Sequence, residues 1–301
     1  MNAITFKGVN KRYGRMKALD SLSFHIPAGT LCGFVGPNGA GKTTTFSLVG
    51  GFCRADDGEI DVLGGDFDPW RLKGLLGVLP QDADLGDRHT PFELLFHLGR
   101  LQGLARQAAA EEADRWLTDL HLGDRRSKPI GSLSHGMRRR VAVASAMIGQ
   151  PALVLLDEPT AGLDPVEAQS LRDLLVKRPK SQTVVISSHN LDEIERICDW
   201  IVMVERGKCV GQGSLSEITG QGEWAIWRIA GTAPLQALAT ALPDHHFAAE
   251  NDVIHHRAPP SANLDAASQV VMRILVEHGI GLREVRRGIS LEQRFFNRSA
   301  S

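Results

Sequence analysis

Four short runs along the chain are almost wholly aliphatic and end on a glycine or a polar residue: CGFVG at Gly36, GVLPQ at Gln81, LVLLDE at Asp157-Glu158 and VVISSH at His189. Apolar runs without alternation predict strands buried on both faces of a parallel sheet. Helical spacing lies between them. TPFELLFHLGRLQG has Thr90 at the N-cap, Pro91 at the first helical position and Glu93 two residues further on, the pattern of a capping box. RQAAAEEADRWLTDLHLG continues at the same period, and PVEAQSLRDLLVKR and NLDEIERICD alternate with the later strands. The first ~60 residues read instead as strands with turn punctuation. A hairpin, WIVMVERGKCVGQG, is expected to turn at Arg206-Gly207.

The pattern changes near ITGQGEW, where Gly220 and Gly222 mark a linker. The expected organisation is a domain over 1–218, with a helical subdomain about 88–150, and a small accessory α+β domain over 219–301. That second domain reads as strand, helix, strand, helix, strand. Its charges balance, so it has no evident charge-driven role. Its two histidine pairs, His245-His246 and His255-His256, invite a metal reading. Neighbouring residues on a strand point to opposite faces, however, and no fitting third ligand is evident. Trp224 and Trp227 read as packing residues.

Composition narrows the partners. The formal net charge is −1 and the isoelectric point about 6.8, which offers no basic stripe for nucleic acid. No run approaches the length of a membrane span, and the first residues lack a secretory apolar core, so the expected compartment is the cytoplasm. Cys32, Cys53, Cys198 and Cys209 show neither C-x-x-C nor zinc-ligand spacing and read as reduced thiols, with Cys32 buried in a strand.

The strongest chemical signal is GPNGAGKTT, comprising Gly36, Pro37, Asn38, Gly39, Ala40, Gly41, Lys42, Thr43 and Thr44. It fits G-x-x-x-x-G-K-[ST]: backbone amides wrap a phosphate, the lysine reaches the terminal phosphates and the hydroxyl of Thr43 meets Mg²⁺. In open parallel sheets the site lies beyond the carboxyl ends of the strands. The four strand ends can therefore meet around one γ-phosphate. Asp157 would hold Mg²⁺ through water, and Glu158 would accept a proton from the attacking water. His189 would hold the γ-phosphate, and Gln81 would touch the metal or the water.

One helix start stays open. In SLSHGMRRRV, Ser134 is the expected N-cap, but the residue that should complete a capping box is Met137. The arginines Arg138 to Arg140 are expected mainly at the surface and in contacts between subunits.

Taken in order, these motifs resemble the nucleotide-binding subunits of ATP-binding cassette (ABC) transporters. The phosphate loop, PQD at Gln81, the signature LSHGM, the strand LVLLDEP, the AGLD loop at Asp164 and His189 cover about residues 3 to 215. The resemblance implies a P-loop NTPase core with an antiparallel β subdomain and a helical signature subdomain, binding ATP and Mg²⁺. It implies that Tyr13 stacks on adenine and that two cassettes dimerise head to tail. Ser134 and Gly136 of one would then donate to the γ-phosphate held by the other. With one loop and one signature, the chain needs a second copy or a paralogue.

The signature departs from the family's common LSGGQ at His135 and Met137; a protonated His135 would add a cation near the partner's γ-phosphate and make closure pH-dependent. The resemblance also implies a separate integral membrane permease docked near Gln81 and the segment DADLGDRHTPFELLFHLGRLQG. That would place the chain peripherally on the cytoplasmic face of the inner membrane. The short C-terminal domain and the closing SLEQRFFNRS resemble export-type subunits. The alternative is a soluble ABC ATPase acting on nucleic acid or ribosomes. DNA-repair members would need a long coiled coil between loop and signature, and translation-type members two cassettes in one chain. Small-molecule P-loop kinases or GTPases would leave LSHGM, AGLD and His189 unexplained.

Overall fold

The computed structural model describes residues 1–294 apart from 69, 221, 260 and 261; the end of the closing segment lies outside the described residues. The chain divides into two units, Met1–Gln212 and a second beginning at Gly213, a break just before the boundary expected at 218/219.

In the first unit, β1 (Asn2–Tyr13), β2 (Met16–Pro27) and β4 (Asp57–Val62) form an antiparallel sheet in the order β2-β1-β4. A six-stranded sheet is built from β3 (Leu31–Val35), β5 (Leu76–Leu79), β6 (Leu153–Asp157), β7 (Thr183–Ser188), β8 (Trp200–Glu205) and β9 (Lys208–Ser214). Its order is β5-β6-β7-β3-β8-β9. The pairs β5/β6, β6/β7, β7/β3 and β3/β8 are parallel. Every residue of β3, β6 and β7 is buried, which is why these strands carry continuous aliphatic runs. A file of rings ties the two sheets together: Phe6 on Phe24 at 4.7 Å, Phe24 on Phe34 at 5.3 Å, and Phe34 on Phe46 at 5.9 Å. Phe46 belongs to α1 (Lys42–Val49), the helix that follows the phosphate loop.

Between β5 and β6 the chain is helical, with α2 (Pro91–Leu101), α3 (Arg106–Asp119) and α4 (His135–Met147). The capping box of Thr90 and Glu93 forms in both directions. Then come α5 (Pro165–Val176) and α6 (Leu191–Ile197). The hairpin turns where expected: Arg206 and Gly207 both have positive φ, 47° and 75°, the mark of a type I′ turn. Cys32 and Cys198 are buried free thiols, and burial raises both well above the usual thiol range.

The second unit begins with α7 (Leu215–Thr219), followed by β10 (Trp224–Ala230), α8 (Leu235–Ala241), β11 (His246–Glu250), β12 (Val253–Arg257), α9 (Leu264–Glu277) and β13 (Gly281–Arg287). The sheet is antiparallel in the order β11-β12-β10-β13. Apart from α7 this is a βαββαβ unit of ferredoxin-like topology, with one strand more than the sequence predicts. The missed strand is β11, whose HFAAE lacks the β-branched residues that announce a strand. The unit has its own core around Trp227, Ile254, Val271 and Leu275. Trp227 packs inside, as expected.

His245 and His256, one from each histidine pair, meet in a part-buried contact. His245 Nδ1 lies 2.7 Å from His256 Nε2, and Phe247 stacks on His256 at 4.4 Å. Among the described residues no group of three or more metal-ligating side chains occurs. His256 is fully buried, and burial, with the nearby His245 and Arg287 charges, pulls its pKa down to about 4. A histidine held neutral in the fold but free to protonate when unfolded stabilises fully above its unfolded pKa of about 6.5. That stability is lost as pH falls toward 4, by up to about 3 kcal/mol. Urea unfolding of the parent should therefore weaken over that window, and His256→Phe should flatten the slope. An unchanged slope in the variant would remove His256 as its source.

Candidate functional site

β3 delivers the chain into the phosphate loop, and α1 carries it away. At the junction Gly41 has φ 106°, and a Cβ there would meet Leu19 Cδ2 at 2.6 Å and the Ala18 carbonyl at 2.9 Å. Only glycine satisfies both demands. Gly41 is the N-cap of α1, so no side chain occupies the first amides of that helix; they and the positive end of the helix are left for an anion. Lys42 is buried and donates from Nζ to the carbonyls of Gly36 at 2.8 Å and Pro37 at 3.3 Å. Burial pulls its ammonium pKa down, while Glu158 and Asp157 push it back up.

A cavity of about 480 Å³ opens over the loop. Asn38, Gly39, Gly41, Lys42, Thr43 and Thr44 line it together with Gln81, Asp157, Glu158 and His189. Three of the four strand ends thus reach one space with the loop that follows the fourth, whereas Gly36, Pro37 and Ala40 do not line it. Met16, Lys17, Ala18 and Ala161 complete the lining; nothing in their residue types announces it. Asp157 is buried and its Oδ1 accepts from Ser187 Oγ. Glu158 is also buried, with both carboxylate oxygens 3.0 Å from His189 Nδ1. Its backbone is left-handed, φ 49°, which costs roughly 1–2 kcal/mol for a residue with a side chain. The Glu158 amide donates to Ser187 Oγ at 2.9 Å.

Other expected site residues lie elsewhere. Tyr13 is 46% exposed and does not line the cavity; its hydroxyl is 3.7 Å from Cys53 Sγ and interacts with Thr44. Burial, followed by Cys53, raises its pKa. Asp164 is the N-cap of α5, accepting from Val166 N at 2.9 Å and Glu167 N at 2.8 Å. Ser134 caps α4 by accepting from Met137 N at 3.2 Å, and neither it nor Gly136 lines the cavity. Gly136 has a reason within the chain to be glycine: a Cβ would come 2.0 Å from Glu167 Oε2. His135 is exposed and rests on Gly162, where a Cβ would meet its Nε2 at 2.6 Å.

Of Arg138 to Arg140, Arg138 is exposed, as expected, and the expectation is corrected for the other two: Arg139 is buried and Arg140 half-buried. All three bond within the chain. Helical spacing held the signal, since Arg139 falls in line with Gly136 and Val143, both on the buried face.

Residues 19–161 match the family model described as ABC transporter. The chain is 34% identical over 291 residues to the daunorubicin resistance ATP-binding protein DrrA3 of Streptomyces coeruleorubidus, covering 94% of this chain and 91% of that one. Among solved structures, an ATP-binding subunit of an ABC transporter superposes with a TM-score of 0.67 at 26% identity, over 73% of this chain and 92% of that one. A dimeric bacterial ABC transporter cassette superposes with a TM-score of 0.65 at 24% identity, over 70% and 98%. The chain belongs to the ABC transporter family, as one of its ATP-binding, ATP-hydrolysing subunits.

Proposed function

We propose that two cassettes close head to tail around two ATP molecules and drive a separate membrane permease, in the direction of export. One observation carries the reading. The uncommitted amides at the start of α4 lie outside the chain's own nucleotide cavity, so a γ-phosphate reaching Ser134 and Gly136 must be held by a second subunit. Tyr13 and the Asp164 loop complete that closed site. The name of the drug-resistance relative supports export, and the dimeric cassette of like fold supports the pairing.

Thr43, Gln81 and Asp157 offer oxygen donors around one space, a set that suits Mg²⁺ shared with phosphate oxygens. The ion would supply charge stabilisation on the β- and γ-phosphates. Glu158 takes the proton of the attacking water, and His189 orients Glu158 and the terminal phosphate.

No helix among the described residues is long and apolar enough to cross a membrane. In this reading the permease is a separate polypeptide, and the subunit sits on the cytoplasmic face through it. Detergent extraction of membranes should recover the chain with a multi-spanning membrane protein, and light scattering should show a dimer with ATP and not with ADP. Recovery on ribosomes or nucleic acid instead would favour the soluble alternative.

A further inference from the structure

Arg139 is a buried cation whose guanidinium bonds only to backbone. Its Nε donates to the Pro159 carbonyl at 3.1 Å, Nη1 to the Gln81 carbonyl at 3.1 Å, and Nη2 to the carbonyls of Asp157 at 2.7 Å and Glu158 at 2.6 Å. Three successive carbonyls of one segment thus converge on a single planar group. In an extended strand they would alternate in direction; the left-handed turn at Glu158 lets them converge. The same fork reaches the Gln81 loop, at the end of a different strand. Both loops carry side chains that line the nucleotide cavity.

Arg139 itself belongs to α4, one turn beyond Gly136. Helix start, guanidinium and the two loops therefore form one connected piece. Burial pulls the guanidinium pKa down against the Asp157, Glu158 and Asp82 charges; arginine remains protonated in proteins, so its carbonyl bonds are charge-assisted.

We propose that Arg139 is a positioning residue for hydrolysis: it transmits the placement of the signature helix to the backbone of Glu158 and Gln81. Glu158 then has its left-handed backbone and its carboxylate aim only while α4 is seated. This rests on Glu158 being the base. The cation does not line the cavity, so it acts on turnover and not on ATP capture.

The test compares the full-length parent with Arg139→Lys, Arg139→Met and Glu158→Gln, measuring ATP affinity, kcat, KM and thermal unfolding. A misaimed base costs about a hundredfold in rate. Arg139→Met should lose kcat by that order, with ATP affinity and KM held within about threefold. Lysine keeps the charge but has one nitrogen in place of the fork, so Arg139→Lys should recover part of the rate and sit between parent and Met variant.

Parental kcat in either Arg139 variant, or affinity falling in step with kcat, overturns the proposal. If Arg139→Met does not fold, the Lys variant decides alone, by a kcat loss at parental KM. Glu158→Gln separates the two claims. Parental hydrolysis there overturns the assignment of the base, whereas loss there beside parental Arg139 variants leaves the base standing and removes Arg139.

Discussion

Glu158→Gln should lower ATP hydrolysis by about three orders of magnitude while ATP binding persists and the ATP-bound dimer accumulates. The amide is nearly isosteric, so it keeps the contact with His189, the burial and the left-handed backbone. What it removes is the ability to accept a proton. The lysine and the phosphate-loop amides are untouched, so capture of the nucleotide is unaffected. In the proposed head-to-tail closure the dimer needs the γ-phosphate and not its hydrolysis, so the closed state loses its exit. Single-turnover hydrolysis with light scattering checks both halves. A variant that turns over at the parental rate removes Glu158 from the role of base, and one that neither hydrolyses nor dimerises shows that the carboxylate serves assembly instead.

Gly77→Ala is the largest expected loss of stability. A Cβ on Gly77 would stand 1.8 Å from the carbonyl oxygen of Ala146 and 3.1 Å from Pro151 Cγ. Both sides of the clash are backbone: Gly77 is locked in β5 opposite Val154 of β6, and Ala146 lies in the buried last turn of α4. No flexible side chain can swing away, so helix and strand must separate. Forced overpacking of this kind costs about 3 kcal/mol. For a unit of this length that is a fall in unfolding midpoint of about 6 to 12 °C, readable by scanning calorimetry of the full chain. An unchanged midpoint would mean that α4 and β5 do not pack this closely.

The fold was legible wherever one physical demand dominated. Strands buried on both faces can tolerate only apolar residues, which made β3, β6 and β7 plain, and the strand ends then pointed to one edge of the sheet. The phosphate loop was legible for a similar reason, since backbone that wraps an anion needs glycine where Gly41 has it. Legibility failed where a residue answers to partners distant in sequence. Arg139 has the residue type of a surface position and the spacing of a buried one; its four carbonyl partners come from two loops that only folding brings together. At Gly136 the sequence did not announce the crowding by the Glu167 carboxylate, distant along the chain, that any Cβ there would meet. Strand β11 was missed because its register against β12, and not its own composition, makes it a strand.

The contact between Gly136 and Glu167 has a consequence for how such a chain can drift. Glu167 also pairs with Arg140 at 3.3 Å, so three positions from two separate motifs share one small volume. Any side chain at 136 displaces the carboxylate, and Arg140 then keeps, among the described residues, only its bond to the Leu120 carbonyl. A replacement at 136 is therefore expected to act together with one at 167, so that the effects of the two do not add. The signature and the segment after the AGLD loop are thereby tied to one another across the fold.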